Sequence, residues 1–167
     1  AMRIAIISDI HDNLWELQRV LQTISAHDAL LCLGDFCSPF TLTTIAEGFH
    51  GPVHAVFGNN DGDRLALARV AERAPNLTLH GFSMHLLLDG RRIAGNHYPE
   101  IAQPLAESGQ YDLVCHGHDH QRCHDRIGET WLVNPGEVMG RFGVVSYGLY
   151  DAVTHQASVI ELSPRRR

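Results

Sequence analysis

Short apolar runs that lead directly into a cluster of polar residues recur along this chain, and they constrain its fold more than any other feature. Four clusters are Asp9-Ile10-His11, Gly34-Asp35, Gly58-Asn59-Asn60-Asp61 and Gly117-His118-Asp119-His120, and a lone His97 follows a fifth run. In open α/β sheets, ligands bind in the crevice at the carboxyl ends of the strands. Five polar clusters at strand ends therefore predict a single binding site on an α/β fold.

The first half of the chain alternates predicted strands with predicted helices. Apolar and β-branched residues predict strands at residues 3–8, 29–33 and 53–57. Apolar residues at helical spacing after a capping Asn13 predict the first helix, and two more are expected at about residues 41–47 and 64–73. This alternation is typical of parallel βαβ units.

The second half is richer in strands. Asp89-Gly90 separates two apolar runs and is typical of a type I′ hairpin turn. A helix is expected at residues 99–107 and a strand at 113–116, followed by strands at 127–134, 144–150 and 157–162. These later strands predict antiparallel pairing that closes a second sheet. The fold class expected is α/β (α+β), with two packed mixed β-sheets flanked by helices.

Length predicts one domain, because 167 residues is an ordinary domain size. Ala1, which precedes Met2, is interpreted as a remnant of expression. Residues 163–167, which end in three arginines, are expected to be a disordered tail.

Composition and charge disfavour several classes of partner. The formal net charge of −6 argues against tight binding to duplex nucleic acid. No apolar run approaches the roughly 20 residues of a membrane span, so no membrane partner is expected. The four cysteines form no CxxC pair and are interpreted as free thiols, which predicts a reducing, cytoplasmic location.

The polar clusters consist of residue types that bind metal ions. In extended backbone, residues i and i+2 project to the same side, so Asp9 with His11, and His118 with His120, are each expected to direct two ligands at one point. Imidazole and oxygen ligands without cysteine suit Mn²⁺, Fe or Zn²⁺ in an open site. An odd number of ligands around a central carboxylate indicates two metals that share one bridge.

The five motifs occur in the order DxH, GD, GNxD, a lone His and GHxH. In this order the chain resembles the calcineurin-like metallophosphoesterases, specifically the small single-domain bacterial and archaeal phosphodiesterases. Asn134-Pro135-Gly136 matches a turn that often follows in these proteins, and the resemblance covers essentially the whole chain. It implies the αββα sandwich of the metallophosphoesterase fold.

The resemblance also implies roles for individual residues. It assigns one metal to Asp9, His11, Asp35 and His120, and the other to Asp35, Asn59, His97 and His118. Asp35 would therefore bridge, and catalytic roles are implied for Asp35, Asn59 and His97. The expected cofactors are two divalent metal ions, with Mn²⁺ favoured and Zn²⁺, Ni²⁺ or Fe as alternatives.

These assignments imply a dinuclear metal-dependent phosphoesterase, and most directly a phosphodiesterase. Two metals about 3.5–4 Å apart lower the pKa of a bridging water and hold the phosphoryl oxygens. The expected reaction is attack of a metal-bridging hydroxide on a small phosphodiester. A small phosphoester is the expected partner, no stable nucleic acid partner is expected, and self-association into a homo-oligomer is left open.

Three positions depart from the pattern of the resembled proteins. Asn60 stands where many of them have a histidine that acts as general acid, which predicts weak leaving-group protonation and faster turnover of aryl than of alkyl esters. Tyr98 stands where glycine is usual, and it would either stack on a substrate or pack at the edge of the site. Glu137 stands where a small residue is common. The departures at Tyr98 and Glu137 therefore bear on the shape of the substrate pocket.

Several neighbouring residues have competing interpretations. His116 is equally compatible with a supporting role behind the ligands and with a purely structural one. Asp61 is expected to fix its loop or orient a ligand, Asp119 to point away from the ligands, and Cys37 to be a neutral loop thiol. Arg122 and Arg141 are expected to be solvated and are not assigned to phosphate binding.

Three alternative functions remain open from the sequence. The same centre would serve a phosphomonoesterase or nucleotidase. A non-catalytic metal-binding scaffold is another alternative, illustrated by the eukaryotic retromer scaffold subunit, which resembles this branch. A nuclease acting on duplex DNA is disfavoured by the acidic charge.

Overall fold

Residues 1–164 are described by a computed structural model, in which eleven strands form two sheets and four helices cover their outer faces. The strands are β1 (Arg3–Ile7), β2 (Ala29–Cys32), β3 (Val53–Ala55), β4 (Leu77–Leu79), β5 (Ser83–Leu88), β6 (Arg91–Asn96), β7 (Leu113–Cys115), β8 (Cys123–Ile127), β9 (Thr130–Asn134), β10 (Ser146–Asp151) and β11 (Gln156–Glu161). The helices are α1 (Leu14–Thr23), α2 (Pro39–Gly48), α3 (Arg64–Arg73) and α4 (Pro99–Glu107).

Both sheets are mixed. The six-stranded sheet has the order β11-β10-β1-β2-β3-β4, in which β1 to β4 are parallel and β10 and β11 are antiparallel. The five-stranded sheet has the order β5-β6-β7-β9-β8, with parallel pairing of β6, β7 and β9. The predicted pair of mixed sheets is therefore confirmed.

The alternation of side chains along β1 shows how the layers pack. Ala5 and Ile7 belong to the core under α1, α2 and α3, whereas Ile4 and Ile6 belong to the core between the two sheets. A third cluster, which includes Ala102, packs α4 against the outer face of the five-stranded sheet. Because successive strand residues point to opposite faces, a strand covered on both sides must be apolar throughout. The result is the expected αββα sandwich.

Local signals place three of the predicted elements correctly. The side chain of Asn13 accepts a hydrogen bond from the Glu16 backbone N–H and caps α1. Helix α3 spans the predicted residues 64–73. Asp89 and Gly90 have φ values of 48° and 77°, the left-handed pair that a type I′ turn requires.

The prediction for the second half is wrong in two respects. Residues 127–134 do not form one strand, because a turn at Gly128 (φ 60°) separates β8 from β9. The final strands β10 and β11 pair beside β1 in the first sheet instead of closing the second one. The short strand β4 was not predicted at all.

Each helix within residues 1–164 has nine or ten residues, and none is long and apolar enough to cross a membrane. Of the predicted tail at 163–167, residues 165–167 lie outside the described part of the chain. Ser163 lies within the described part, and its carbonyl accepts a hydrogen bond of 2.6 Å from Arg19.

Candidate metal centre

The strand ends bring all five polar motifs to one edge of the sandwich. The turn after β1 is held against the turn after β2, because the Asp9 N–H donates to the Gly34 carbonyl and the His11 N–H donates to the Asp35 carbonyl, at 3.1 and 2.9 Å. The motifs that follow β3, β6 and β7 close around these two turns. Candidate ligands that follow strands of both sheets thus meet at the seam between the sheets.

The paired ligands converge, but not through extended backbone as the sequence suggested. Asp9 and His11 have φ values of 54° and 47°, and His118 and His120 have values of 75° and 60°. Asp35 has a φ of 53°. Left-handed backbone at non-glycine residues is uncommon and concentrates at functional sites. Tight turns, and not strand alternation, therefore direct these side chains inward.

Glycine is required at two positions by close approach. A Cβ at Gly58 would overlap the carboxylate of Asp35, and a Cβ at Gly117 would overlap Ser8 and lie 2.6 Å from the Asp9 carboxylate. Real Cβ atoms do not approach other heavy atoms so closely, so any larger residue would displace these carboxylates.

A first group of candidate ligands consists of Asp9, His11 and His120. Their candidate ligand atoms all lie within 4.8 Å of one another. The Oδ1 atom of Asp9 is 3.8 Å from His11 Nε2 and 3.4 Å from His120 Nε2. These distances place the three atoms around a common point.

A second group consists of Asn59, His97 and His118. The Asn59 Oδ1 atom lies 3.1 Å from His97 Nε2 and 3.0 Å from His118 Nδ1. The two ring nitrogens are 3.3 Å apart. These three residues also face one point, beside the first group.

Asp35 connects the two groups through a single oxygen. Its Oδ2 atom lies 3.5 Å from His11 Nε2 and 3.4 Å from His97 Nε2. Asp9, Asp35 and His97 themselves form a set whose ligand atoms lie within 4.8 Å of one another. The side chain implied as a bridge therefore lies between the two groups.

Two buried atoms in this centre lack the partners that burial normally demands. Asp9 Oδ1 and His11 Nε2 have no hydrogen-bond partner among the described residues, although Asp9 is fully buried. Leaving a buried polar atom unpaired costs about 1–3 kcal/mol. A bound cation would satisfy both atoms, and the oxygen and imidazole donors suit Mn²⁺, Zn²⁺ or Fe. The residues present therefore fit divalent metal ions.

The electrostatics of the centre keep its carboxylate charged. Burial disfavours the charged form of Asp35, but the interaction with His97 and the hydrogen bonds from Asn60 outweigh burial and hold the pKa of this carboxyl well below its usual range. The adjacent carboxylates raise the pKa of His11, through Asp9 first and against the effect of burial. Burial lowers the pKa of His97, but Asp35 reverses this effect and the pKa is raised overall.

Asp61 fixes the loops and is not itself in the ligand groups, as predicted. Its carboxylate accepts hydrogen bonds from the backbone N–H groups of Asp35, Cys37 and Gly58, at 2.9, 2.7 and 2.6 Å. Cys37 Sγ lies 3.8 Å from His11 Nδ1, and burial raises the pKa of this thiol to about 12. Cys37 is thus a neutral thiol at physiological pH, as expected.

A second supporting carboxylate, Asp12, was missed by the sequence reasoning. It accepts hydrogen bonds from the Ser38 N–H, the Ser38 hydroxyl and the Thr41 hydroxyl, at 2.9, 2.6 and 2.6 Å. These bonds tie the turn after β1 to the start of α2. An Asp directly after the DxH motif was the available signal.

Glu137 is the other supporting residue whose role the sequence did not indicate. Its Oε2 atom lies 2.7 Å from His120 Nδ1, and its side chain is buried. The sequence marked this position only as a departure. Its partner lies 17 residues earlier in the chain, so no local pattern connects the two.

The remaining neighbours are placed as follows. Asp119 turns away from the ligands, as predicted, and accepts a 2.6 Å hydrogen bond from Asn134. His116 bonds to the Gly117 carbonyl, which is a structural role. Arg122 forms an ion pair with Glu161, and Arg141 lies over the Phe142 ring.

Tyr98 packs at the edge of the second group. Its ring contacts His97 edge-on and His118 at a tilt, each with a centroid distance of 5.2 Å. On the other side, Phe142 contacts the ring of His120 with a centroid distance of 5.3 Å while remaining 71% exposed. Aromatic rings therefore flank the centre at both ends.

Histidines far from the centre have structural partners. His54 on β3 lies with its Nδ1 2.9 Å from Nε2 of His80, and burial lowers the pKa of both rings. His85 bonds to the Tyr111 hydroxyl, and His155 bonds to the Tyr150 hydroxyl. Position in the fold thus separates these residues from the ligand candidates.

Comparisons with known proteins agree with this geometry. The model of the calcineurin-like phosphoesterase superfamily domain matches residues 2–155. A phosphodiesterase of Methanocaldococcus jannaschii is 27% identical over 155 residues, which cover 90% of this chain and 93% of that protein.

Solved structures show the same fold. An archaeal phosphodiesterase superposes with a TM-score of 0.88 at 25% identity, over 96% of this chain and all of the other. A phosphoesterase from E. coli gives a TM-score of 0.67 at 21% identity, over 97% of this chain and all of the other. Vps29 of Chaetomium thermophilum gives 0.70 at 19% identity, over 91% of this chain and 80% of the other, which is a likeness of fold alone.

Proposed function

The chain belongs to the calcineurin-like phosphoesterase superfamily and is a phosphoesterase, and from this premise we propose that it is a dinuclear metal-dependent phosphodiesterase acting on a small phosphodiester. The observation that carries the proposal is the position of Asp35 Oδ2, which lies 3.5 Å from His11 Nε2 and 3.4 Å from His97 Nε2. One carboxylate oxygen between two ligand groups is the arrangement that a shared pair of metals needs.

In this proposal, each ion has four protein ligands. Asp9, His11, Asp35 and His120 hold one ion, and Asp35, Asn59, His97 and His118 hold the other. The measured groupings around Asp9 and around Asn59 support this division. When bound, two such ions lower the pKa of a water molecule and stabilise the charge that develops on the phosphoryl oxygens.

With two divalent ions bound, the centre would carry the positive charge that an anionic substrate needs. Two divalent ions bring four positive charges, against the two ligand carboxylates of Asp9 and Asp35 and the single negative charge of a hydroxide. The centre then keeps a net positive charge, although the whole chain carries −6. Such local charge attracts a phosphate ester, and positioning supplies the rest of the effect.

Asp35, Asn59 and His97 are the residues that we propose as catalytic. Asp35 holds its charge because its pKa is lowered, so it remains a ligand throughout the neutral range. His97 is oriented by its Nδ1 atom, which lies 2.6 Å from the Leu33 carbonyl, so that its Nε2 faces Asn59 and Asp35. These three residues fix where the phosphoryl group would bind.

The surroundings favour a small ester with a good leaving group. A cavity of about 250 Å³ adjoins the centre and is lined by residues that include His120, Arg122 and Phe142. Asn60 cannot act as an acid at neutral pH, so the leaving group must depart with little protonation. A phosphodiester with an aromatic leaving group meets both conditions.

We propose Mn²⁺ as the metal and the cytoplasm as the location. Nitrogen and oxygen ligands without a thiolate support Mn²⁺ over metals that prefer sulfur, and Cys37 belongs to neither group of candidate ligands. All four cysteines are free, which supports a reducing compartment.

Hydrolysis of bis-p-nitrophenyl phosphate tests the proposal. Protein stripped with a chelator is titrated with Mn²⁺, beside an Asp35→Ala variant and a matched Glu129→Gln control at a highly exposed carboxylate. We expect Mn²⁺ to restore turnover in the wild type and in Glu129→Gln but not in Asp35→Ala. Faster turnover of p-nitrophenyl phosphate would instead indicate a phosphomonoesterase. Metal binding without turnover, with Mn²⁺, Zn²⁺, Ni²⁺ and Fe²⁺ alike, would favour a scaffold.

A further inference from the structure

Glu137 is a buried carboxylate that accepts two hydrogen bonds from different parts of the chain. It is only 2% exposed. Its Oε2 atom lies 2.7 Å from His120 Nδ1, and its Oε1 atom accepts a 2.7 Å hydrogen bond from the Phe142 backbone N–H. A buried carboxylate that faces a candidate metal ligand calls for an explanation beyond packing.

The backbone around Glu137 is fixed from both sides. Its carbonyl accepts from the Ser146 N–H at 3.2 Å, and the following Val138 N–H donates to the Ser8 carbonyl at 3.1 Å. Before it, the Gly136 N–H donates to the Asn134 side chain at 2.9 Å. Glu137 therefore starts from a rigid position between the end of β1 and the start of β10.

This contact determines which nitrogen of His120 faces the centre. A carboxylate oxygen can only accept, so the ring must carry its proton on Nδ1. Nε2 is then left with a free lone pair, and it lies 3.4 Å from Asp9 Oδ1. A carboxylate behind a ligating histidine fixes the ring orientation and strengthens the ligand.

Among residues 1–164, no carboxylate is hydrogen-bonded behind either histidine of the second ligand group. Nδ1 of His97 lies 2.6 Å from the neutral carbonyl of Leu33. Asp9 also contributes its charge to the first group, whereas Asn59 in the second is uncharged. The two groups therefore differ in negative charge, with Glu137 increasing the difference.

We propose that Glu137 is a positioning residue that makes the Asp9–His11–His120 group the tighter of the two metal sites, so that this group is filled first. The inference rests on the dinuclear centre of the proposed function. It adds the order in which the two metal ions bind, and it attributes that order to Glu137, which lies outside both ligand groups.

Glu137→Gln is the most informative variant, because an amide cannot accept both of the hydrogen bonds that the carboxylate accepts. Both partners of Glu137 are N–H donors, and an amide has only one acceptor atom. The amide nitrogen must then face either His120 Nδ1 or the Phe142 N–H. Glu137→Ser places a small residue at this position and removes the carboxylate altogether, because its short side chain cannot replace the two contacts of Glu137.

Calorimetric titration of the metal-free protein with Mn²⁺ gives the first readout. We expect two binding phases in the wild type and in the Glu129→Gln control. In Glu137→Gln and Glu137→Ser, the first phase should weaken by about 10–100-fold while the second changes little. Equal weakening of both phases, or an unchanged isotherm, would overturn the proposal.

Electron paramagnetic resonance tests the order of loading. With one equivalent of Mn²⁺, the wild type should show a mononuclear signal, whereas the Glu137 variants should show more of the coupled dinuclear signal because their two affinities are closer. A dinuclear signal in the wild type at one equivalent would contradict ordered filling.

Nitrogen NMR of the metal-free protein separates this inference from the proposed function. The His120 ring should carry its proton on Nδ1 in the wild type, and the variants should lose this preference. A proton on Nε2 in the wild type would overturn the positioning role even if the protein binds two metals. Absence of any Mn²⁺ binding by the wild type would overturn the dinuclear centre, and the loading order with it.

Discussion

The side-chain amide of Asn60 donates a 2.8 Å hydrogen bond to Oδ2 of Asp35, the oxygen that lies between the two ligand groups. The Asn60 backbone N–H donates to the other oxygen, Oδ1, also at 2.8 Å. Asn60 therefore holds both oxygens of this carboxylate in place. Asn60, which stands where the family resemblance implies a histidine, therefore supports the Asp35 carboxylate, and its amide is too weak an acid to supply a proton.

Asn60→His should shift the preference between leaving groups. An imidazole at this position would protonate a departing alkoxide, and general acid catalysis contributes about 10²–10⁴-fold. We expect kcat/KM for alkyl phosphodiesters to rise relative to aryl phosphodiesters. Asn60→Ala controls for the lost contact to Asp35, and an unaltered aryl-to-alkyl ratio in Asn60→His would contradict the account of this position.

Gly58→Ala should displace the Asp35 carboxylate through steric overlap. The added Cβ would collide with the Asp35 carboxylate, and overpacking of this kind costs about 1–3 kcal/mol. We expect a lower free energy of unfolding and weaker Mn²⁺ binding. Gly143→Ala is the matched control, because a Cβ there meets nothing within 4 Å. Equal stability of the two variants would show that the Gly58 contact relaxes freely.

Divalent metal should stabilise the fold. A ligand that binds only the native state adds RT ln(1 + [L]/Kd), or about 2.7 kcal/mol at a concentration 100 times Kd. We expect Mn²⁺ to raise the Tm of chelator-treated wild type and to raise that of Asp35→Ala much less. An equal rise in both proteins would show that the stabilising ion binds elsewhere.

The His54–His80 pair should make the metal-free protein less stable in mild acid. Burial lowers the pKa of both rings in the folded state, so the unfolded chain binds more protons once the pH falls below about 6.5. Stability from this pair is present above that pH and is lost as the pH falls through the folded-state values. A His54→Gln, His80→Asn double variant should lose less stability between pH 7 and pH 5, measured by urea denaturation. Parallel pH profiles for the two proteins would show that the pair titrates normally.

Sequence patterns predicted the elements that depend on local signals. The Asn13 cap of α1 and the Asp89-Gly90 turn each depend on residues within a few positions of one another. The pairing of β10 with β1 depends on residues about 140 positions apart, and no local pattern encodes it. The β8–β9 turn was hidden because Gly128 lies inside a run that reads as continuous strand.

In the candidate site, too, features set by local sequence could be predicted and features set by long-range contacts could not. The motifs predicted which side chains would meet, and the structure brings Asp9, His11 and His120 together. The reason offered for that convergence was wrong, because left-handed φ values are set by contacts between the turns. Glu137 was identified only as a departure, since its contact with His120 exists only in the folded chain.

The candidate ligands that meet at the seam between the sheets come from two separate parts of the chain. Asp9, His11, Asp35 and Asn59 precede β4, whereas His97, His118 and His120 follow the β5–β6 hairpin. A chain cut in the connection between β4 and β5, around Gly81, would leave neither fragment with a complete set of these candidate ligands. Binding of metal by the full candidate set would therefore require both fragments, so metal affinity would measure how completely the two fragments reassociate.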